Sequence, residues 1–469
     1  MSKIEVNQIS SQCGSTLTIG QSGDTVTLAA GATQTGFGRT GTVDWDTTAK
    51  TASFTAVNGT GYFVNTTSTA ITVTLPAGSA GSIVSLKDYA NTWNTNNVTV
   101  TPNGTDKING ANASATLNTQ DQSVTLVYVD STKGWRAVQD STSDVSGASF
   151  IVATGGTVTC CGDYKIHTFT GPGTFTVCSV GNPIGSDSVE YLVVAGGGGG
   201  AAACIGGAGG GGGFRFVAPS LAPLSYPARP LAAPANLPVT AQGYPIQIGS
   251  GGAGSTAPGS PPGTAPQGTS GGNSVFSTIT STGGGGGGGS LPGCAPSAIG
   301  LPGGSGGGGA YSGTGGSGNT PPVSPPQGNN GGTPSPTPTG APAYGASGGG
   351  GAITAGSSGT PTSGGAGGTG AGVPNAFGTS GESCGANYYF SGGGAGANET
   401  PTGATGGLGG GGDGGFGGGA SPSANRTGCA GTVNTGGGGG GTCGGGPASC
   451  FGPGGNGGSG IVIIRYKYQ

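Results

Sequence analysis

The sequence predicts an all-β N-terminal half, a stalk plus an antiparallel β module, followed by a glycine-rich domain of packed polyglycine II helices bracketed by β-strands, with little or no α-helix. Three observations support this fold class. The 469 residues include 116 glycines and 32 prolines, which disfavour helices. Residues 1–195 hold 22 of the glycines and residues 196–469 hold 94. Short Thr- and Val-rich runs in the first half alternate polar and apolar residues, as half-buried strands do.

Residues 1–42 are predicted to form an attachment and oligomerisation stalk. Their β-type runs at 4–9, 16–19 and 25–28 are separated by turns of Gly and Ser. Runs this short cannot bury an apolar face within one chain. We therefore expect several copies of the chain to wrap together. The alternative interpretation is a frayed leader segment.

Residues 43–147 are predicted to form one antiparallel all-β module. Alternating runs occur at 61–65, 71–75, 82–87, 98–100 and 123–129. They are separated by turn sequences such as Asn58-Gly59 and Asn103-Gly104, whose residues accept positive φ at low cost. Residues 148–188 are predicted to be a β linker region with two further strands, at 165–169 and 174–177.

Residues 189–469 are predicted to be a glycine-rich distal domain. An apolar strand lies at each end, at 189–195 and 461–466, and we expect the two strands to pair and close the domain. Inserts at 243–248 and 275–282 are predicted to form a small sheet with them. The glycine tracts between the inserts are 196–200, 206–213, 283–289, 303–309, 348–351, 406–419 and 436–441.

Three conformations compete for these tracts. A collagen helix requires Gly at every third position, and uninterrupted runs such as 283–289 exclude it. A flexible linker is the usual fate of Gly- and Ser-rich sequence. Packed polyglycine II helices satisfy their backbone by bonding neighbouring helices. The bracketing strands and the scarcity of charge, 8 charged residues among the last 274, favour this packed arrangement over disorder.

Composition excludes several classes of function. The chain has 13 basic and 16 acidic residues and a net charge of -3, so no basic patch for nucleic acid is expected. No apolar run approaches the roughly 20 residues of a membrane-spanning helix, and membrane insertion is not expected. The first residues lack the pattern of a secretory signal, which predicts synthesis in the cytoplasm.

The ten cysteines show no CxxC spacing, and the chain has a single His. A zinc site is therefore not expected, and neither a metal nor a cofactor is predicted. The cysteines fit either free thiols, as in a reducing cytosol, or the disulfides of an extracellular product. The sequence leaves these two possibilities open.

Matches to catalytic motifs are not informative in this composition. The serine-hydrolase pattern GxSxG occurs at 303–307 and 345–349, but a chain of Gly and Ser produces it by chance. His167 lies within an alternating run and is interpreted as a strand residue. Asp44 and Asp46 flank Trp45, and we interpret them as a solvated turn rather than as the acid pair of a glycosidase. We predict that the protein is not an enzyme.

Three motifs resemble the glycine-rich region of tailed-phage fibre and adhesin proteins. They are Phe-Thr-Gly-Pro-Gly-Thr-Phe at 169–175, Tyr-Leu-Val-Val-Ala at 191–195 before a glycine tract, and Gly-Ser-Gly-Ile-Val-Ile-Ile-Arg-Tyr at 458–466. The resemblance spans about 300 residues. Residues 61–135 are similar to a β module of phage structural proteins, especially those of marine phages. The Pro-rich inserts at 219–245 and 320–342 are longer than this family leads us to expect.

The resemblance implies a virion-surface tail fibre or adhesin that displays variable loops on polyglycine helices. It implies a homotrimer, contacts with other virion tail proteins through the N-terminal region, and a host-cell receptor, either a glycan or an outer-membrane protein. The alternative is a capsid or tail decoration protein without a receptor.

Receptor-binding loops favour aromatic and Arg anchors. For each candidate, the alternative is a side chain that only covers the lattice or a neighbouring loop. The candidates are Tyr226, Arg229, Tyr311, Tyr344, Tyr388, Tyr389 and Phe390.

Overall fold

The computed structural model describes residues 42–141, 148–182, 185–202, 205–256, 267–289, 298–334, 345–361, 363–398, 403–416, 426–443 and 452–469. The chain divides into two compact units, Met1–Ser146 and Gly147–Gln469. Except for its last residue, the predicted stalk over 1–42 lies outside the described residues. Within the described part of the chain the only helices are short 3-10 turns, so the all-β prediction is confirmed.

The first unit contains two sheets that the chain visits in alternation. Sheet A has the order β1-β3-β5-β8-β9, and sheet B has the order β2-β4-β6-β7. The strands are β1 (Asp44–Lys50), β2 (Phe54–Thr55), β3 (Thr60–Val64), β4 (Ile71–Thr74), β5 (Ile83–Asp88), β6 (Val98–Thr101), β7 (Ala115–Leu117), β8 (Ser123–Asp130) and β9 (Gly134–Ser141).

The strand directions in this unit correct the prediction of a wholly antiparallel module. Strands β1, β3 and β5 are parallel to one another, and so are β2, β4 and β6. Because the chain alternates between sheets, it returns to each sheet in the same direction, as in a coil. Among the described strands of this unit, the antiparallel pairs are β5–β8, β8–β9 and β6–β7. Alternating hydrophobicity identifies a half-buried strand, whichever direction its neighbour takes.

The two sheets of the first unit enclose one apolar core. Trp93 and Trp135 are completely buried in it, together with Val64 and Leu86. The indole N–H of Trp93 donates to the carbonyl of Val64 at 3.1 Å. The core thus fills with aromatic and branched side chains, as the Val-rich runs predict.

The second unit contains a five-stranded sheet C and a six-stranded sheet D. Sheet C has the order β10-β13-β17-β18-β19, and sheet D has the order β11-β12-β23-β14-β15, with β16 also paired to β14. Sheet C consists of β10 (Val152–Thr154), β13 (Gly173–Ser179), β17 (Gly243–Gln247), β18 (Ser274–Phe276) and β19 (Ile279–Ser281). Sheet D consists of β11 (Thr157–Cys161), β12 (Tyr164–Phe169), β14 (Ser188–Val194), β15 (Phe214–Val217), β16 (Leu237–Pro238) and β23 (Ile461–Lys467).

The bracketing strands pair as the sequence analysis expects, because β14 and β23 are antiparallel neighbours at the centre of sheet D. The inserts at 243–248 and 275–282 do form strands, but they lie in sheet C rather than beside the bracketing strands: β17 pairs with β13, and β18 pairs with β17. Residues 148–188, assigned to a linker region from the sequence, contribute β10 to β13 to these two sheets. They are therefore part of the second unit.

The central strands of sheet D, β14 and β23, are buried on both faces. One face packs with sheet C around Phe175, Phe276 and Tyr466. The other face packs Leu192 and Phe216 against the 3-10 turns Pro219–Leu221 and Asn375–Phe377. A small sheet E, of order β20-β22-β21, also covers this face. Its strands are β20 (Ala371–Pro374), β21 (Glu382–Cys384) and β22 (Asn387–Phe390).

The glycine tracts form a hydrogen-bonded lattice, which confirms the prediction of packed polyglycine II helices. In the tract 196–200, the N–H groups of Gly196, Gly197 and Gly198 donate to three different tracts, at Gly272, Gly458 and Gly210. Three residues further on, the next N–H groups donate to the same three tracts. This period of three matches a threefold helix.

The carbonyl groups of the same tract bond three other tracts. Gly284, Gly252 and Gly439 donate to Gly196, Gly197 and Gly198 at 2.8–2.9 Å. The tract therefore has six neighbours, as in hexagonal packing, and all five of its residues are buried. Hydrogen bonds between backbones replace a core of apolar side chains here.

The lattice has two ends. At the sheet end, Ala195 continues from β14, Gly213 leads into β15 and Gly460 leads into β23. At the far end, Ala202 and Ile205 are bridged to Thr442 and Cys443. The tract 206–213 runs between these ends, about 20 Å at the roughly 3.1 Å per residue of this helix.

Candidate functional site

Arg229, Tyr388, Tyr389 and Phe390, all predicted receptor-binding residues, lie in or beside sheet E, near the sheet end of the lattice. Tyr388 and Tyr389 belong to β22, which pairs with β20. Arg229 lies on the other side of β20, because the N–H of its neighbour Ala228 donates to Gly372 of that strand at 2.9 Å. The fold thus brings Arg229 and the two tyrosines to one region.

Tyr226 and Phe390 correct the prediction, because both are core residues. Tyr226 is 8% exposed and Phe390 is 1% exposed, and both pack with Phe216 on the outer face of sheet D. The rings of Tyr226 and Phe216 are perpendicular, with centroids 6.0 Å apart. Burial raises the pKa of the Tyr226 hydroxyl. Neither side chain presents its ring to a receptor.

The two tyrosines of β22 lie on opposite faces of sheet E, since side chains alternate along a strand. Tyr388 is half-buried against the apolar cluster beneath it. The ring of Tyr389 lies over Gly372, where a Cβ would come within 2.8 Å of the ring. Both rings are partly exposed, but each has a packing role.

Sheet E is tied to the lattice by the carboxylate of Glu382. One oxygen accepts hydrogen bonds from the N–H groups of Gly409 and Gly410, at 2.6 and 2.7 Å. These glycines have φ of 106° and 87°, values that only glycine adopts readily. Glu382, one of the few acidic residues after 195, therefore closes this turn.

The exposed side chain of Arg229 forms hydrogen bonds within its own insert. Its Nη1 donates to the carbonyls of Pro223 and Leu224, each at 2.6 Å. These bonds hold the insert that covers sheet D. The guanidinium keeps further N–H donors, so the residue can both brace the insert and contact a ligand.

Tyr311 lies at the far end of the lattice, well separated from sheet E. It follows Ala310, whose N–H donates to Ala298 at 2.8 Å. Tyr311 is 42% exposed, and Ile299, which follows Ala298, is 44% exposed. Both side chains are exposed at this end. Tyr344 lies outside the described residues.

Ile299 was not among the sequence candidates. The signal available was positional: it is an apolar residue among glycines, directly before the tract 303–309. Ile299 is exposed because it lies at the far end of the lattice. The sequence alone does not show at which end of the lattice a residue will lie.

The far end contains the flanking residues of several segments of the chain. Residues on both sides of the following segments, all outside the described residues, lie at this end: 203–204, 257–266, 290–297, 335–344, 399–402, 417–425 and 444–451. Ser255, for example, donates its N–H to Gly200, and Asn398 is bridged to Phe416. The sheet end instead carries the strands and short turns.

Residues 168–467 match the family model of a glycine-rich domain. The chain belongs to this glycine-rich domain family. The matched residues begin near the end of β12 and finish at the end of β23, so they include most of sheets C and D and the whole lattice. No curated protein matches the sequence at a significant level.

The described residues of the glycine-rich domain and of the first unit contain no group of three or more His, Cys, Asp or Glu residues placed to hold a metal ion. Asp46 pairs with Lys50 at 2.7 Å in β1, and this ion pair lowers the pKa of the Asp46 carboxyl. Trp45 packs on Phe63, with ring centroids 5.0 Å apart. The two carboxylates thus lie on an edge strand rather than in the predicted turn.

The cysteines in the described part of the chain include exposed free thiols at Cys160, Cys161, Cys178, Cys384 and Cys429. His167 is buried in β12, which agrees with its interpretation as a strand residue. A search of the described residues finds no helix long and apolar enough to cross a membrane.

Proposed function

We propose that this protein is a non-enzymatic structural protein of a tailed phage, a tail fibre or adhesin on the virion surface. Its glycine-rich domain presents receptor-binding segments at the far end of the lattice. One observation carries the proposal: the described residues that flank seven segments of the chain lie at that end, while the sheets occupy the other end. The resemblance of residues 169–175 and 458–466 to phage adhesins supports the viral assignment.

The architecture suits this function physically. Binding residues are commonly held on loops that a rigid scaffold positions. A lattice bonded in six directions resists bending, and its loops add variety without altering the hydrogen bonds between tracts. Ile299 and Tyr311 each expose a large side chain at this end. An exposed aromatic ring is a common anchor in protein recognition.

The remaining parts of the proposal concern assembly. The N-terminal region attaches the protein to other virion tail proteins, and three copies associate into a homotrimer. The receptor is a glycan or an outer-membrane protein of the host. The short β-type runs of residues 1–42, which cannot bury an apolar face alone, support association of the chains.

The test is competition for adsorption. Purified full-length protein is added to host cells before the phage that carries it, and the rate of adsorption is measured. We expect the protein to slow adsorption, and the double variant Ile299→Ala/Tyr311→Ala to compete less well. The control is Tyr89→Ala, which removes an exposed ring, 57% accessible, from the first unit.

Normal adsorption in the presence of folded protein would contradict the receptor-binding role. Immunogold labelling of virions then distinguishes the alternative, a capsid or tail decoration protein. Label at fibre tips supports the adhesin, whereas label at many symmetric positions supports decoration.

A further inference from the structure

A polar cleft of about 230 Å³ opens beside sheet D, at the end of β14 and β23 that is remote from the glycine lattice. The residues that line it include Tyr164, Ser188, Glu190, Ser220, Asn236 and Arg465. They come from β12, β14, β23 and the insert that covers sheet D. None of them belongs to the far end, where we place receptor binding.

The base of the cleft is a buried ion pair. Arg465 is 4% exposed and Glu190 is 2% exposed, and the Nη1 of Arg465 donates to Glu190 Oε2. Ser220 contacts both partners: its hydroxyl accepts from Arg465 Nη1 at 2.7 Å, and its N–H donates to Glu190 Oε1 at 2.8 Å. The guanidinium also stacks on Tyr164, 3.5 Å from the ring centroid. These contacts fix the Arg465 side chain.

Two buried polar atoms in the lining have no hydrogen-bond partner within the described part of the chain. They are Nε of Arg465, a donor, and Oδ1 of Asn236, an acceptor. Leaving a buried polar atom unsatisfied costs roughly 1–3 kcal/mol. Two such atoms, of opposite hydrogen-bonding character and lining one cleft, indicate a ligand that both donates and accepts.

The charge of the cleft lining restricts the class of ligand. Arg465 and Glu190 neutralise each other, and the other charged residues of the lining, Lys467 and Asp187, also have opposite signs. The formal charge of the lining is therefore zero. A phosphate or carboxylate would meet no net positive charge here, whereas a neutral ligand rich in hydroxyl groups meets both donors and acceptors.

The size of the cleft further restricts the class of ligand. A cleft of about 230 Å³ is smaller than the roughly 300–1,000 Å³ of sites that hold drug-sized molecules. We propose that this cleft binds one neutral sugar residue, either free or within a glycan. Hydroxyl groups of the sugar donate to Asn236 Oδ1 and accept from Arg465 Nε after a small adjustment of the lining.

The test measures sugar binding directly with purified full-length protein and no phage. Glucose, galactose, mannose and N-acetylglucosamine are titrated separately by calorimetry and by saturation-transfer NMR. Inorganic phosphate and sialic acid serve as anionic probes. We expect at least one neutral sugar to bind with a Kd of about 1 mM, or −4.1 kcal/mol, and the anions not to bind.

A filling variant assigns the binding to the cleft. Ser188→Phe places a ring in the cleft without altering the ion pair, and we expect it to weaken binding at least about tenfold. The matched control, Ser179→Phe, makes the same change at an exposed position of β13 outside the cleft and should leave binding unchanged. Thermal unfolding of both variants verifies that they fold.

Absence of binding by all four sugars would overturn the proposal, as would binding that Ser188→Phe does not weaken. Preferential binding of phosphate or sialic acid would overturn the choice of a neutral ligand. Adsorption is not measured in these titrations. The proposal therefore fails or stands separately from the receptor-binding role of the far end.

Discussion

At the scale of single residues, the lattice depends on the absence of side chains. A Cβ at Gly198 would lie 2.1 Å from the carbonyl oxygen of Gly285, whereas a Cβ at Gly171 would meet nothing within 4 Å. We expect Gly198→Ala to lower the free energy of unfolding by about 3 kcal/mol, the upper range for overpacking. Gly171→Ala should change it little. Denaturant unfolding of the full chain measures both, and equal stabilities would contradict close packing at Gly198.

His167 gives the second residue-scale prediction. Its Nδ1 donates to the carbonyl of Gly155 at 2.7 Å, which leaves Nε2 to accept from the hydroxyl of Tyr466 at 3.1 Å. Burial lowers the pKa of the imidazole from its usual 6.5 and raises the pKa of Tyr466 to about 12. The folded protein therefore favours neutral His167.

The sign of the pH effect follows from this shift. The unfolded state takes up the proton first, so stability contributed by neutral His167 is present above pH 6.5 and is lost as pH falls toward the lower folded pKa. His167 is the only His in the chain. A change in stability between pH 7 and 5.5 therefore reports mainly on the protonation of His167. We expect melting temperature to fall across this window in the native protein and to change less in His167→Gln. Equal slopes would contradict the assignment.

At the scale of elements, strand positions were predictable but their partners were not. The run at 61–65 identifies β3 correctly, since alternation marks a half-buried strand. That β3 lies between two parallel strands depends on the chain visiting sheet B between visits to sheet A. The same limit applies to β17, which pairs with β13 instead of a bracketing strand. Pairing over long sequence separations leaves no signal in local periodicity.

The burial of the candidate receptor-binding residues was likewise not predictable from the local sequence. In β22, Tyr388 and Phe390 point toward the apolar cluster, and Tyr389 points to the opposite face of sheet E. The sequence does not show this, because three consecutive aromatic residues give no alternation of polar and apolar residues. Tyr226 is buried because its insert covers the second face of sheet D. Nothing in the composition of a Pro-rich insert distinguishes a cover from an exposed loop.

At the scale of the whole molecule, an interior made of backbone changes the thermodynamics of unfolding. Exposure of apolar surface raises the heat capacity and exposure of polar surface lowers it, and ordinary proteins gain about 12–15 cal/mol/K per residue. The buried tracts, such as 196–200 and 206–213, contribute peptide groups and few apolar side chains. We therefore expect scanning calorimetry of the full chain to give a heat-capacity change per residue below that range.

A small heat-capacity change flattens the dependence of stability on temperature. We expect the free energy of unfolding to vary less between 5 and 40 °C, roughly the physiological range, than the few kcal/mol of ordinary domains. Unfolding in denaturant at several temperatures checks this independently of calorimetry. A heat-capacity change per residue within the ordinary range would contradict it, because the lattice would then bury as much apolar surface as a conventional core. A flat profile would identify hydrogen bonds between glycine tracts as the main source of order in the second unit.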